Sequence, residues 1–291
     1  MGEKIKKYKW YDNIFVVFVT AFAMLYYGRA PLKGFHVWVI GMIQQSGIAS
    51  PLMDMLIMAV MLAEFILPIM ICFLYIYLTR KDVLQVFKYK YEKNNSVTFG
   101  LGMLTGFLMN SVLAIAGIVS GSVTISYSGI LFFPLLLVLA CGVIQCSCEE
   151  IMYRGYVYQY LKGRYGVVIA ILTGSICFSL GHIGNIRHYG LNIAFLLNVV
   201  LVGVVLALFM RRFGSIWFAF GVHTMWNFTQ QFIFGFPNSG ISTPGAIFTA
   251  VETNDSFFFN NAFGIEGTWG ATILFVLIIL ALIILEYKKP E

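Results

Sequence analysis

Long apolar runs near 13–28, 52–78, 97–119, 129–149, 166–184, 191–210, 214–235 and 269–286 alternate with short stretches of Gly, Pro, Asn or charge. At roughly 1.5 Å of rise per residue, a hydrocarbon core of about 30 Å takes about 20 residues to cross, so each run is close to a span in length. The pattern predicts an all-α fold, a polytopic membrane helix bundle of about eight transmembrane helices. The apolar piece 36–43 is too short to span, and 29–51 is expected as an outer loop with an interfacial or re-entrant element. Unbroken runs of this length exclude a β-barrel, whose strands alternate over about 10 residues.

Composition agrees: 59% of the 291 residues are hydrophobic and 11% charged, against about 25% charged in soluble domains. No fixed-period repeat divides the chain, so 1–291 is expected as one transmembrane domain. The basic residues add an orientation, because Lys and Arg in short loops collect on the cytoplasmic side. Segments 1–12, 79–95, 162–165, 211–212 and 287–291 hold 15 of the 19 Lys and Arg. An even number of spans with both termini cytoplasmic produces that asymmetry. The net charge of +6 then reflects topology and contact with anionic membrane lipids, and no nucleic-acid partner is expected. The first span reads as a retained anchor, without a small-residue cleavage site. Lys6 stands where a myristoylation signal needs Ser or Thr. Abundant Ile, Phe, Tyr, Lys and Asn suggest an AT-rich genome, hence a bacterial plasma membrane.

Carboxylates inside spans are the exception that calls for a purpose, since one near mid-bilayer costs about 2.5–3.5 kcal/mol on insertion scales. Glu149-Glu150-Ile151-Met152-Tyr153-Arg154 lies at the expected inner end of the fourth span. Helical neighbours point about 100° apart and residues four apart share a face, so Glu150 can pair with Arg154 while Glu149 points elsewhere. Glu150 reads as structural and Glu149 as an available base. The fifth run ends in Phe178-Ser179-Leu180-Gly181-His182, and the seventh carries His223 and Asn227 four apart. Counted from the inner turn near 162–165, Glu149 and His182 differ in depth by only about 7 Å. His223 and Asn227 fall roughly level with Glu149. One carboxylate, two imidazoles and an amide in a cytoplasm-facing polar cavity can hydrolyse a peptide bond: Glu149 takes a proton from water that His182 orients, and His223 with Asn227 donates to the oxyanion.

These residues carry three short signatures, Glu-Glu-x-x-x-Arg, Phe-x-x-x-His and His-x-x-x-Asn, in order on separate spans. In them the chain resembles the CPBP family, the type II CAAX prenyl endopeptidases and bacteriocin-processing proteins, over a catalytic core at about 145–230. The resemblance implies Glu149 and His182 as water-activating residues, His223 and Asn227 as the oxyanion hole, and Glu150 and Arg154 as support. It also implies an intramembrane endopeptidase acting near the cytoplasmic face on a lipidated protein or peptide precursor. The family has been described as metalloproteases and as glutamate proteases. Zinc held by Glu149, His182 and His223 therefore stays open beside a metal-free mechanism, although His-Glu-x-x-His is absent. A catalytically silent scaffold or bacteriocin-immunity protein is the alternative, and a proton-coupled transporter, which usually shows paired halves, is a further one.

Other polar positions read more simply. Cys72, Cys141, Cys146, Cys148 and Cys177 fall in apolar runs and imply no disulfide framework. Glu64, midway along the second run, has no basic partner in its own helix and is expected protonated and hydrogen-bonded, the other option being the wall of a substrate path. His36 and His188 are expected exposed in outer loops and Asp54 wet. The inner Lys-rich stretch 79–95 reads as topology, and the outer stretch 236–268 either binds a partner or solvates the bundle.

Overall fold

The structure, a computed structural model, describes residues 8–242 and 244–287; Lys4, Lys6, Lys7, Lys288 and Lys289 lie outside them. Twelve helices follow the apolar runs: α1 Ile14–Tyr27, α2 Lys33–Gln45, α3 Leu52–Ala63, α4 Ile66–Thr79, α5 Ser96–Val119, α6 Phe132–Glu150, α7 Tyr158–Tyr165, α8 Val167–Gly181, α9 Ile183–Tyr189, α10 Ile193–Phe213, α11 Ile216–Phe228 and α12 Trp269–Tyr287. The chain is a polytopic helical bundle, and among the described residues seven helical stretches are long and apolar enough to cross a membrane. The run 214–235 is helical too, as α11 followed by a π-helical turn Thr229–Ile233, but most of it is buried among the other helices. One sheet interrupts the all-helical expectation. Strands β1 Val123–Tyr127 and β2 Phe248–Thr253 pair antiparallel, with a register shift at Thr124/Ile125.

Helix boundaries follow local chemistry. Asn95 accepts from Thr98 N (2.9 Å) at the start of α5, Asn192 from Phe195 N (2.9 Å) at α10, and Ser215 Oγ from Phe218 N (3.3 Å) at α11; each side chain satisfies a donor the first turn leaves free. Gly214, left-handed at φ +60°, ends α10, a conformation that costs glycine least. Between α5 and α11 the approach is so close that a Cβ on Gly106 would stand 2.2 Å from Val222 O, and one on Gly221 2.3 Å from Phe99 O. Small residues allow backbones in a bundle to touch this way.

Several expectations need correction. More than half of the expected outer loop 29–51 is the helix α2, Lys33–Gln45, with Phe35, Val37, Trp38 and Met42 exposed; uncovered apolar faces of this kind suit lipid. The second run is broken at Glu64, where α3 ends and α4 begins. Glu64 is ion-paired across helices, with Arg29 (2.8 Å) and His36 Nδ1 (3.0 Å). Its partners lie outside its own helix, so periodicity within that helix could not show them. His36 is accordingly half-buried, whereas His188 is exposed as expected.

The bundle has two chemically different ends. At one, Arg80 pairs with Asp12 (3.2 Å), Ile14 N donates to Tyr165 Oη (3.3 Å), Lys93 N to Gly214 O (3.1 Å), and Arg211 pairs with Glu286 (2.6 Å). At the other, Asn192 Nδ2 donates to Gly267 O (3.1 Å), Asn198 Nδ2 to Glu266 O (2.9 Å), and Asn254 N to Ser122 O (2.9 Å). The first end carries the basic segments. The second carries 29–51, the sheet and the folded stretch 236–268.

Candidate active site

Glu149 and Glu150 close α6, and the helix continues through a π-helical stretch, Ile151–Val157, into α7. Glu149 is thus near the middle of a continuous helix spanning 132–165 and not at its inner end. The second π segment directly follows the His-x-x-x-Asn stretch of α11. Such segments add a residue to a turn and occur often at functional sites.

Glu150 is fully buried and its Oε1 serves two partners, Arg154 Nη1 at 2.9 Å and His223 Nδ1 at 2.9 Å. Arg154 also donates through Nη2 to Gly203 O (2.8 Å) and lies over the Phe178 ring (5.1 Å). Gln145, one turn before Glu149, donates to Glu149 Oε1 at 2.7 Å. Glu149 Oε2 accepts no hydrogen bond, and His223 Nε2 stands 3.7 Å from it. His223 therefore bridges the two glutamates, an arrangement that the separate roles expected for them do not contain. With His223 protonated, the buried set Glu149, Glu150, Arg154 and His223 is charge-neutral, which is how ionised groups tolerate burial.

His182 caps the end of α8, where its Nδ1 contacts Phe178 O at 2.9 Å. A carbonyl oxygen only accepts, so Nδ1 carries the proton and Nε2 of the neutral ring is an acceptor. Phe178 is the shared spacer: its ring meets His182 at 4.8 Å and His223 edge-on at 5.7 Å. Asn227 donates weakly to Cys146 Sγ (3.5 Å) and accepts from Asn238 Nδ2 (3.3 Å).

All four expected catalytic side chains, Glu149, His182, His223 and Asn227, line one cavity of about 280 Å³. Supporting residues Glu150 and Arg154 stand behind its wall. Further wall residues were not foreseen: Tyr26 in α1 and Arg29 just after it, Gln145 and Cys146 from α6, and Asn238, Ser239 and Glu266 from 236–268. Gln145 is four residues before Glu149, so helical spacing alone could have found it. Stretch 236–268 is tied to α11 through Glu266, which accepts from Trp226 Nε1 (3.1 Å) and Ser239 N (2.8 Å). Glu64 lines the cavity, the reading set second for it.

Arg29, Asn238, Ser239 and Glu266 in this wall lie towards the end opposite the basic segments. Tyr153 lines the cavity, and one and two turns further towards the basic end Tyr156 and Tyr160 are buried with rings 4.6 Å apart. Thr20 binds the Tyr156 hydroxyl (2.5 Å) and Thr79 that of Tyr160. The helix ends that bear Arg80, Lys93, Arg164 and Arg211 contribute no residue to the cavity wall.

The donor set does not fit zinc. Among the described residues no group of three His, Cys, Asp or Glu is placed to hold a metal ion, and His182 turns Nδ1 to the Phe178 carbonyl. Glu149, His182 and His223 as arranged do not form a ligand set, and no step is derived through a metal.

Residues 131–229, which carry all three signatures, match the family described as Type II CAAX prenyl endopeptidase Rce1-like. Among curated proteins and among solved structures nothing matches the chain.

Proposed function

Taking residues 131–229 as a type II CAAX prenyl endopeptidase Rce1-like domain, we propose that the protein is an intramembrane endopeptidase that activates water with Glu149. The observation that carries this reading is the buried Glu149 Oε2, which has no hydrogen-bond donor and faces the cavity beside His223 Nε2. A buried carboxylate oxygen without a donor is expensive unless a water or substrate group completes it.

In the proposed reaction Glu149 removes a proton from water held at His182 Nε2, and the hydroxide attacks the scissile carbonyl carbon. Charge develops on the carbonyl oxygen, where Asn227 Nδ2–H and the Nε2–H of protonated His223 donate hydrogen bonds. Glu150, itself paired with Arg154, holds His223 through Nδ1 and keeps Nε2 turned to the cavity. The C–N bond then breaks, Glu149 returns its proton to the leaving amine, and the acyl half leaves as a carboxylic acid. The substrate class is a peptide precursor or a lipidated protein whose scissile segment enters the membrane, and the membrane is a bacterial plasma membrane.

The test compares Glu149→Gln, His182→Ala and His223→Ala with the unaltered chain at matched expression, for cleavage of candidate peptides and for the cellular phenotype. Each variant should lose cleavage. A phenotype that survives all three changes would mean a silent scaffold of the same fold, and the protease reading would fall.

A further inference from the structure

The lining of the cavity, set against the distribution of Lys and Arg, bears on where substrate comes from. Part of the cavity lining belongs to helix ends that meet at one pole: Arg29 after α1, Asn185 in α9, Asn238 and Ser239 after α11, and Glu266 before α12. At that pole the chain has few cations, and Arg29 is already paired with Glu64. At the other pole stand Arg80, Lys81, Lys88, Lys93, Arg164 and Arg211, all in short connections or helix ends. Short loops dense in Lys and Arg stay on the cytoplasmic side. Along the helix from Glu149 to that pole, Tyr153, Tyr156 and Tyr160 are all buried.

We infer that the catalytic cavity opens to the non-cytoplasmic face, and that the substrate is an extended peptide segment presented there by a membrane-anchored or exported chain. This rests on the endopeptidase reading of the same site. Two features give the occupant its chemistry. The wall combines Met58, Met61, Leu62 and Phe65 with the polar set around Glu149, which suits an apolar segment with one reactive peptide group. A helical substrate hides its carbonyls in i to i−4 bonds, so the segment has to be unwound, as it is where a chain leaves the membrane. A lipid-anchored tail displayed at the cytoplasmic leaflet would meet the buried tyrosines and the basic pole.

Orientation can be read without any activity. Asn185→Cys at the opening, Val251→Cys on exposed β2 and Lys88→Cys at the basic pole are each expressed in the full chain. Intact cells are treated with a charged, membrane-impermeant maleimide, and the parent chain, whose thiols are buried or half-buried, supplies the baseline. The 185 and 251 variants should label severalfold above that baseline on intact cells, and the 88 variant only after permeabilisation. Labelling of Lys88→Cys on intact cells, or of the other two only after permeabilisation, overturns the inference. Failure of the protease reading would show separately, as cleavage surviving Glu149→Gln, and would leave the labelling unchanged.

Discussion

Two adjacent glutamates should respond oppositely to loss of charge. Glu150 is fully buried and its Oε1 neutralises Arg154 and holds His223, each at 2.9 Å. In Glu150→Gln the amide oxygen can still accept from Arg154, but the guanidinium loses its neutralising charge and keeps otherwise the Gly203 carbonyl and the face of Phe178. Removing one partner of a buried ion pair costs about 3–5 kcal/mol. At roughly 2–4 °C per kcal/mol for a chain above 150 residues, that lowers Tm by about 6–20 °C. Glu149 differs: Oε1 accepts from Gln145 and Oε2 from nothing. Glu149→Gln keeps the shape and removes a charge whose Oε2 accepts no hydrogen bond and stands 3.7 Å from His223 Nε2, so its Tm should stay within about 2 °C of the parent or rise, a change of under about 1 kcal/mol. Its cleavage rate should fall by roughly 10²–10⁴, the usual contribution of a general base. Tryptophan fluorescence melting of detergent-purified protein, with a cleavage assay on the same samples, reads both. Equal destabilisation by the two variants would refute this division of labour, because Glu149 would then be a structural partner and not a base with a free oxygen.

Three further outcomes follow from the geometry. Asn227→Ala should lower kcat by about 10²–10³ with KM little changed, as expected for one oxyanion donor; a change confined to KM in steady-state kinetics would place Asn227 in binding instead. Gly106→Leu should abolish the folded monomer on size-exclusion chromatography, since even a Cβ there meets Val222 O at 2.2 Å, whereas Gly142→Ala, with open space around it, should elute as the parent does. Glu64→Gln removes a partly exposed pair with Arg29 and His36 and should cost about 1 kcal/mol or less; a loss as large as that of Glu150→Gln would show that the α3–α4 break depends on this pair.

The length of the apolar runs alone determined the bundle, because the thickness of a hydrocarbon core sets how many residues a helix needs to cross it. Helical periodicity likewise made Glu150–Arg154 and His223/Asn227 legible, since partners four apart on one helix are placed by its pitch. Gln145 was readable on the same rule. What periodicity cannot carry is which helix stands beside which. His223 bridging Glu149 and Glu150, Glu64 drawn to Arg29 and His36, and Phe178 meeting His223 are contacts between residues 28 to 74 positions apart, decided by packing. The pole from which the cavity lining is drawn belongs to the same class. The sequence alone placed the positive charges, while packing decided that the cavity lining around Glu149 draws on Arg29, Asn238, Ser239 and Glu266 and on none of the basic helix ends.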